Sequence, residues 1–266
     1  MEHITLNNGL TMPILGLGCY QLHGKAGERA ILDATELGYR LFDTAQMYGN
    51  EKEVGHALRQ SGVPREELFV TTKIYSPNTS YAKAKASIVA SLRALQMEYV
   101  DLLLIHEPYP TSPEMYRAME ETYREGKVRA IGVSNFNEGF YRNFLRSCQI
   151  VPAVNQVEAH ILYQQEALHR CLQGHGTVMQ AWSPFAAGRH GVLENHCLRE
   201  IGSRYGKSAA QITLRFLTQR GIAAIPKSSH RERLKENMDI FDFQLSQEDM
   251  SRLAALDEGR TLFGWY

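Results

Sequence analysis

The chain has 266 residues with 29 basic and 29 acidic side chains, so its formal net charge is zero. This balance, without any basic run, argues against binding to nucleic acid or to an anionic membrane surface, and no stretch approaches the ~20 apolar residues that a membrane-spanning helix needs. The N-terminus lacks the cationic start and apolar core of a signal peptide, and the four cysteines are scattered without a C-x-x-C pair. We therefore expect a cytoplasmic protein with reduced thiols and no metal site.

Strand-like and helix-like patterns alternate along the whole chain. Residues 4–6 and 10–12 are short apolar runs on either side of Asn7-Asn8-Gly9, which predicts an N-terminal β-hairpin. Eight further apolar runs predict eight strands, at residues 15–17, 41–43, 68–73, 100–106, 130–134, 153–157, 178–182 and 223–226. Helical periods lie between these runs.

Start signals predict where several helices begin. Asn50 is expected to cap a helix after the second of the eight strands, with Glu53 as its capping-box partner. Ser80, Ser208 and Ser246 precede three further helical patterns, and the last of these predicts an extra helix near the C-terminus.

The alternation predicts an α/β fold, a parallel (β/α)8 TIM barrel that spans residues 1–266 as a single domain, with the hairpin closing its bottom. The length agrees, since such barrels typically take about 250 residues. An open doubly wound sheet is the alternative. Against it, no G-x-G-x-x-G motif follows the first strand, because Gly16-Leu17-Gly18 leads into Cys-Tyr-Gln-Leu.

Polar side chains mark the ends of the predicted strands. In a parallel barrel the carboxyl ends of the strands form the active face, so a site should draw residues from most of them. Seven consecutive strands provide such residues: Asp43, Lys73, His106, Ser134 with Asn135, Asn155 with Gln156, Trp182 with Ser183, and Lys227 with Ser228. Each residue taken singly has an ordinary structural explanation, but their common position predicts a functional site.

Asp43, Lys73 and His106, together with Tyr48 in the loop after Asp43, suit proton transfer to a carbonyl oxygen. A tyrosine with an ordinary pKa of about 10 is a poor acid at neutral pH, and a nearby ammonium lowers that pKa. An aspartate fixes the lysine, and a histidine donates a proton or orients the carbonyl. None of these groups supplies hydride, so reduction requires a cofactor. Neither an activated serine nor a carboxylate pair stands out for hydrolysis.

Four segments resemble the aldo-keto reductase family, in the shorter microbial branch that contains the diketogluconate and methylglyoxal reductases. They are Gly-Tyr-Arg-Leu-Phe-Asp-Thr-Ala-Gln-Met-Tyr-Gly-Asn-Glu at 38–51, Val-Arg-Ala-Ile-Gly-Val-Ser-Asn-Phe at 128–136, Pro-Ala-Val-Asn-Gln-Val-Glu at 152–158 and Ile-Pro-Lys-Ser-Ser-His-Arg-Glu-Arg-Leu-Lys-Glu-Asn at 225–237. The resemblance covers nearly the whole chain and implies NADPH-dependent reduction of aldehydes and ketones to alcohols.

The resemblance also implies roles for particular residues. The catalytic tetrad would be Asp43, Tyr48, Lys73 and His106, with Tyr48 as the general acid. The cofactor would be NADP(H), bound without a Rossmann domain or a metal. Its contacts would be Ser134, Asn135 and Gln156 on the nicotinamide carboxamide, Trp182 stacked on the ring, and Ser183, Lys227, Ser228, Arg233 and Asn237 elsewhere.

The last of the four segments favours a phosphate. Lys227 and Ser228 stand just before a predicted helix and Arg233 one turn into it, and free N–H groups at a helix start together with cations attract a phosphate. We therefore predict a preference for NADPH over NADH. His230 occupies a position where close relatives often carry Arg, and Arg231 is an alternative cation.

Two departures from the family concern the substrate pocket. Tyr20 and Glu107 stand where many relatives have Trp. Tyr20 is expected to form an apolar wall. Glu107 either raises the pKa of His106 and repels anionic substrates, or points into solvent. The short loop at 186–191 and the short tail at 261–266 predict an open site for small or medium aldehydes, dicarbonyls or keto-sugars.

Two other functions remain as alternatives. A cofactor-binding regulatory or sensor protein would keep the fold with little catalysis. A sugar-phosphate isomerase would carry Gly-rich loops after the last two strands, which Ser183-Pro184-Phe185 does not resemble. The resemblance to the reductases further implies a monomer whose partner is a small carbonyl compound.

Overall fold

Strands and helices alternate along residues 1–264, which the computed structural model of the protein describes; residues 265 and 266, the end of the tail considered above, lie outside the described residues. The strands are β1 (His3–Thr5), β2 (Thr11–Pro13), β3 (Leu17–Gly18), β4 (Leu41–Asp43), β5 (Phe69–Ile74), β6 (Leu102–Ile105), β7 (Ile131–Ser134), β8 (Val154–Glu158), β9 (Val178–Trp182) and β10 (Ala223–Ala224). The α-helices are α1 (Gly24–Glu36), α2 (Glu51–Gln60), α3 (Tyr81–Leu95), α4 (Ser112–Arg124), α5 (Glu138–Phe144), α6 (Glu166–Gly174), α7 (His196–Tyr205), α8 (Ala209–Gln219), α9 (Arg231–Met238) and α10 (Gln247–Ala254).

Strands β3 to β10 form one parallel sheet in sequence order, and the sheet closes on itself. Its first and last strands are joined by hydrogen bonds from Gly16 N–H to Ala224 O (2.9 Å), from Ala224 N–H to Ile14 O (2.8 Å) and from Gly18 N–H to Pro226 O (3.1 Å). The predicted (β/α)8 barrel is therefore confirmed. The open sheet is excluded, because its two edges pair with each other.

The hairpin formed by β1 and β2 covers the end of the barrel at which the strands begin. Leu6, Met12 and Ile14 are buried in a cluster with residues from the starts of the barrel strands. Asn8 Nδ2 donates to the carbonyl of Arg129, which precedes β7, at 2.8 Å. The hairpin thus shields an apolar layer from water, as predicted, and the opposite end of the barrel is left for polar groups.

The helix starts predicted at three serines are confirmed. The Ser80 and Ser246 side chains accept hydrogen bonds from backbone N–H groups in the first turns of α3 and α10. Ser208 and Gln211 form both bonds of a capping box at α8. The extra helix α10 follows α9 and buries Leu253, so it too is confirmed.

The capping box predicted at Asn50 is wrong. Asn50 does precede α2, but its side chain makes no cap hydrogen bond within the described chain. Its Oδ1 accepts from Thr44 Oγ1 at 2.7 Å, and its Nδ2 donates to the carbonyls of Cys19 (2.7 Å) and Leu22 (2.9 Å). Asn50 is fully buried, and an unpaired carbonyl beside it would cost more than a solvent-exposed cap gains.

No helix within residues 1–264 is both long and apolar enough to cross a bilayer.

Candidate active site

The carboxyl ends of β4 and β5 bring Asp43 and Lys73 together inside the barrel. Asp43 pairs in register with Thr71, and Lys73 lies two residues further on, so both side chains face the same side of the sheet. Lys73 Nζ donates to Asp43 Oδ1 and, at 3.0 Å, to Thr44 O. Burial favours the neutral amine, but Asp43 and Tyr48 outweigh it and raise the pKa of Lys73, so the ammonium persists at neutral pH.

Tyr48 lies on a 3₁₀ turn, Gln46–Tyr48, between β4 and α2. Lys73 Nζ donates to its hydroxyl at 3.3 Å. The turn is held from both sides, because Thr44 and Asn50 flank it and bond to each other. The bond between Thr44 and Asn50 was not predicted, because the spacing from Asn50 to Glu53 indicates only a local helix cap.

The pKa of Tyr48 moves in the direction opposite to the sequence-based expectation. Burial raises it, and the opposing effect of Lys73 is smaller. The Lys73 ammonium does lower the pKa of Tyr48, but burial raises it more. In this half-buried position the phenolate loses more free energy of hydration than its attraction to the ammonium provides. Tyr48 is accordingly a protonated phenol beside a fixed cation.

His106 follows β6 and faces Tyr48. The two ring centroids are 5.6 Å apart and the rings are nearly perpendicular, at 78°. Burial, together with the nearby Lys73 ammonium, lowers the pKa of His106 to about 3, so its imidazole is neutral at physiological pH. Its Nδ1 is enclosed and has no hydrogen-bond partner among residues 1–264.

Aromatic rings lie against Tyr48 and His106. Tyr20 is 51 % exposed, and its ring centroid is 5.1 Å from that of Tyr48, which agrees with a wall of the pocket. On the other side Tyr75 lies 6.5 Å from the His106 ring. Tyr75 was not expected at the site, although its position two residues after Lys73 was a usable signal.

The Glu107 carboxylate is held near the loop that follows β5 and contains Tyr75 and Ser76. Tyr109 OH donates to Glu107 Oε1 at 2.8 Å and itself accepts from Ser76 N–H at 3.0 Å. Of the two possibilities for Glu107, a raised pKa of His106 is not observed, because burial first and Lys73 second lower that pKa. The Tyr109 phenol is one partner of the Glu107 carboxylate.

Ser134, Asn135, Gln156 and Trp182 form one hydrogen-bonded group across β7, β8 and β9. Ser134 Oγ and Asn135 N–H donate to Gln156 O at 2.8 and 2.9 Å. Trp182 Nε1 donates to Asn135 Oδ1 at 2.8 Å. Gln156 Nε2 donates to Asp43 Oδ2 at 2.7 Å, so this group and the Asp43–Lys73 pair are joined.

The residues predicted near a phosphate lie at the end of β10 and on α9. Lys227 and Arg233 are exposed, whereas Ser228 and Asn237 are buried. Ser228 Oγ accepts from His230 N–H at 3.1 Å, just before α9. The structure therefore brings Lys227, Ser228 and Arg233 to the start of α9, whereas Asn237 lies in its last turn; Ser183 directly follows Trp182.

Arg231 is already engaged elsewhere. Its Nη1 donates to Asp33 Oδ1 at 2.9 Å and to Glu36 Oε2 at 2.6 Å, both on α1. These two carboxylates compete with any phosphate for the guanidinium, so Arg231 is a poor alternative to Arg233 in that role.

Known proteins are similar to this chain in sequence and in fold. A family model described as the aldo/keto reductase family matches residues 15–258. The chain is 43% identical over 264 residues to the 9,11-endoperoxide prostaglandin H2 reductase of Trypanosoma cruzi (strain CL Brener), which covers 98% of this chain and 93% of that protein. It is 42% identical over 259 residues to the glyoxal reductase of Bacillus subtilis (strain 168), covering 97% and 93%.

Solved structures agree with the sequence relatives. An aldo-keto reductase of Bombyx mori, crystallised in complex with NADP, has a TM-score of 0.91 at 33% identity and covers 98% of this chain and 94% of that chain. The protein therefore belongs to the aldo/keto reductase family, and the resemblance seen in its four sequence segments is confirmed.

Proposed function

We propose that the protein is an NADP-dependent oxidoreductase that reduces aldehydes and ketones to alcohols. The observation that carries this proposal is the contact between the Tyr48 hydroxyl and the buried Lys73 ammonium, 3.3 Å apart, beside a neutral His106. A phenol becomes an effective acid when a fixed cation stabilises the phenolate that forms as its proton leaves. The barrel presents these groups at its carboxyl end, where the family carries out its reaction.

Each residue of the tetrad has a distinct proposed task. The cofactor, when bound, supplies the hydride that the side chains lack. Tyr48 donates its proton to the carbonyl oxygen of the substrate, and Lys73 stabilises the phenolate. Asp43 keeps the Lys73 ammonium charged and in place. His106, neutral and with Nδ1 enclosed, carries its proton on Nε2 and donates a hydrogen bond from Nε2–H to the same carbonyl oxygen, which orients the substrate while the proton stays on the imidazole.

The polar groups on the rim fit a nicotinamide. Ser134, Asn135 and Gln156 offer hydroxyl and amide groups in a buried setting that suits a carboxamide, and the indole of Trp182 suits a planar ring. Gln180 Nε2 is buried without a partner in the described part of the chain, so this layer has unused hydrogen-bonding capacity. Ser183 continues the same rim.

The start of α9 fits a phosphate. Its N-cap, His230, makes no side-chain cap bond within residues 1–264, which leaves N–H groups of the first turn to a ligand. Lys227 and Arg233 add positive charge there, and Ser228 adds a buried hydroxyl, whereas the buried Asn237, in the last turn of α9, is proposed to contact another part of the cofactor. Glu232 in the first turn opposes an anion, so the two cations are needed for the proposed preference for NADPH.

For the substrate we propose small or medium carbonyl compounds, dicarbonyls among them. The glyoxal reductase relative supports this class by its name. Tyr20 and Glu107 are proposed to line the pocket, Tyr20 as an aromatic wall next to Tyr48 and Glu107 beside the loop that carries Tyr75.

The reductase proposal is tested by following NADPH oxidation with glyoxal, methylglyoxal, benzaldehyde and a keto-sugar, and by identifying the alcohol formed. Turnover of at least one compound with one alcohol per NADPH is expected. Tight NADPH binding without turnover of any carbonyl would contradict it and favour a cofactor-binding regulatory or sensor protein.

Cofactor preference is tested with Arg233→Ala. The loss of a phosphate contact should raise the Kd for NADPH about tenfold or more and leave that for NADH nearly unchanged, since charge-assisted bonds contribute about 1.5–3 kcal/mol. Lys235→Ala, an exposed cation on the same helix, is the matched control. Equal changes for both cofactors would contradict the assignment.

We further propose that the protein acts as a monomer in the cytoplasm. Its cysteines are free thiols in the described residues, as expected of a reducing compartment. Light scattering during size-exclusion chromatography should give one species near 30.1 kDa, and a species of twice that mass would contradict the monomer.

A further inference from the structure

Residues 261–264, termed the tail segment, are fastened to the rim of the barrel by Glu158. This side chain is 4 % exposed and accepts hydrogen bonds from Thr261 Oγ1 at 2.5 Å and from Leu262 N–H at 2.8 Å. Its Oε1 also lies 3.0 Å from His160 Nε2. Since hydrogen bonds to a carboxylate are about twice as strong as neutral ones, a single buried side chain fixes two consecutive residues of the tail segment.

Arg189, in the loop after β9, holds the tail segment from the solvent side. Its Nη1 donates to Leu262 O at 2.8 Å, and its guanidinium carbon lies 4.4 Å from the centroid of the Phe263 ring. The loop after β9 and the tail segment therefore contact each other across the rim. The cation over the ring restricts how Phe263 moves.

Phe263 transmits this fixation to Trp182. The two ring centroids are 5.1 Å apart and the rings meet edge to face, at 68°. Trp182 Nε1 in turn donates to Asn135 Oδ1. A continuous series of contacts thus runs from Glu158 through the tail segment and the Trp182 indole to Asn135.

We propose that the tail segment is a brace for the nicotinamide site, and that Glu158 and Phe263 are positioning residues that act through Trp182. The proposal rests on the proposed function, in which Trp182 and Asn135 contact the cofactor. A braced indole is already oriented when the cofactor arrives, so less side-chain freedom is lost on binding. Glu158 and Phe263 thereby contribute to cofactor affinity, and neither takes part in the chemical step.

The test measures NADPH binding to the full-length protein by fluorescence titration and NADPH release by stopped flow, for Phe263→Ala, Glu158→Gln and the double variant. An aromatic pair contributes about 0.5–1.5 kcal/mol, so Phe263→Ala should raise the Kd about two- to tenfold, mainly through faster release. Glu158→Gln should change the Kd in the same direction. Because both residues serve one brace, the double variant should bind no more weakly than Phe263→Ala.

Glu258→Gln is the matched control, since this exposed carboxylate is next to the tail segment but bonds only to Arg260 through its described side-chain contacts. It should leave NADPH binding unchanged. Thermal unfolding of each variant checks that the barrel is intact, and a merely structural role would move the melting temperature without moving the release rate.

Three outcomes would overturn the brace. They are an unchanged Kd in Phe263→Ala, additive effects in the double variant, and tighter binding in Phe263→Ala, which would mean that the tail segment occupies space the cofactor needs. Failure of the unaltered protein to bind NADPH would instead remove the proposed function itself, and the brace with it. The two failures are therefore distinguishable from the first titration.

Discussion

The Asp43–Lys73 pair makes a sharp prediction about stability. Lys73 is 0 % exposed and Asp43 is 1 % exposed, so neither charge is stabilised by water. Lys73→Met removes three hydrogen bonds, to Asp43, Thr44 and Tyr48, and leaves the carboxylate with Gln156 as its remaining side-chain partner among residues 1–264. Breaking a buried ion pair on one side costs about 3–5 kcal/mol, and we expect a loss of that size in the free energy of unfolding.

The double variant Asp43→Asn with Lys73→Met separates the charge effect from the loss of contacts. With both charges gone no unpaired ion is buried, so the cost should fall to about 1–2 kcal/mol, less than that of either single variant. Urea unfolding followed by circular dichroism at neutral pH measures each value. Costs that simply add would refute the reasoning, because they would mean that the two charges do not depend on each other.

The pH dependence of the stability of Lys73→Met tests whether the pKa of Asp43 is raised or lowered in the folded protein. Burial raises the pKa of Asp43 even with Lys73 present, and removing the ammonium raises it further. A carboxyl whose pKa is higher in the folded than in the unfolded state adds stability as the pH falls. The deficit of Lys73→Met should therefore shrink as the pH falls from neutral towards the unfolded pKa of an aspartate, about 3.9. A deficit that grows with acid would contradict this environment for Asp43.

Two other residues test the description of the site. The folded pKa of His106, about 3, lies below its unfolded value of about 6.5, so the protein loses stability as the pH falls through this range. At about pH 5 the loss is about 2 kcal/mol. In His106→Gln this contribution to the acid dependence of the unfolding free energy should be absent. An equally steep acid profile in the variant would contradict the neutral imidazole. Asn50→Ala should lower the free energy of unfolding by about 2–4 kcal/mol, because it removes three buried hydrogen bonds. Glu53→Gln should change the free energy of unfolding by no more than about 0.5 kcal/mol. Equal urea midpoints for the two variants would favour the capping box instead.

Sequence patterns predicted the barrel and the meeting of Asp43 with Lys73 for a clear physical reason. Short apolar runs alternating with helical periods specify a parallel sheet, and a parallel sheet gathers the carboxyl ends of its strands on one face. The local sequence pattern alone therefore predicts that a polar residue at a strand end lies on the active face of the barrel. Tyr48 followed because it lies only five residues after Asp43 along the chain.

The remaining features depend on burial and on contacts between distant segments. Asn50 bonds to Cys19 and Leu22, and Glu158 bonds to Leu262, 104 residues away, and neither pairing leaves a periodic pattern. The raised pKa of Tyr48 likewise reflects how much water the folded barrel removes, which residue identity does not encode. Local spacing suggested a cap for Asn50, and tertiary packing gave its side chain different partners.

The most direct test of the central claim compares the unaltered protein with Tyr48→Phe in NADPH oxidation with methylglyoxal, with the Kd for NADPH measured on both. If Tyr48 is the proton donor, kcat should fall about 10²-fold or more while the Kd for NADPH stays nearly the same, because the substitution removes only the hydroxyl. A variant that still turns over at a similar rate would contradict the role of Tyr48 and, with it, the mechanism proposed for this site.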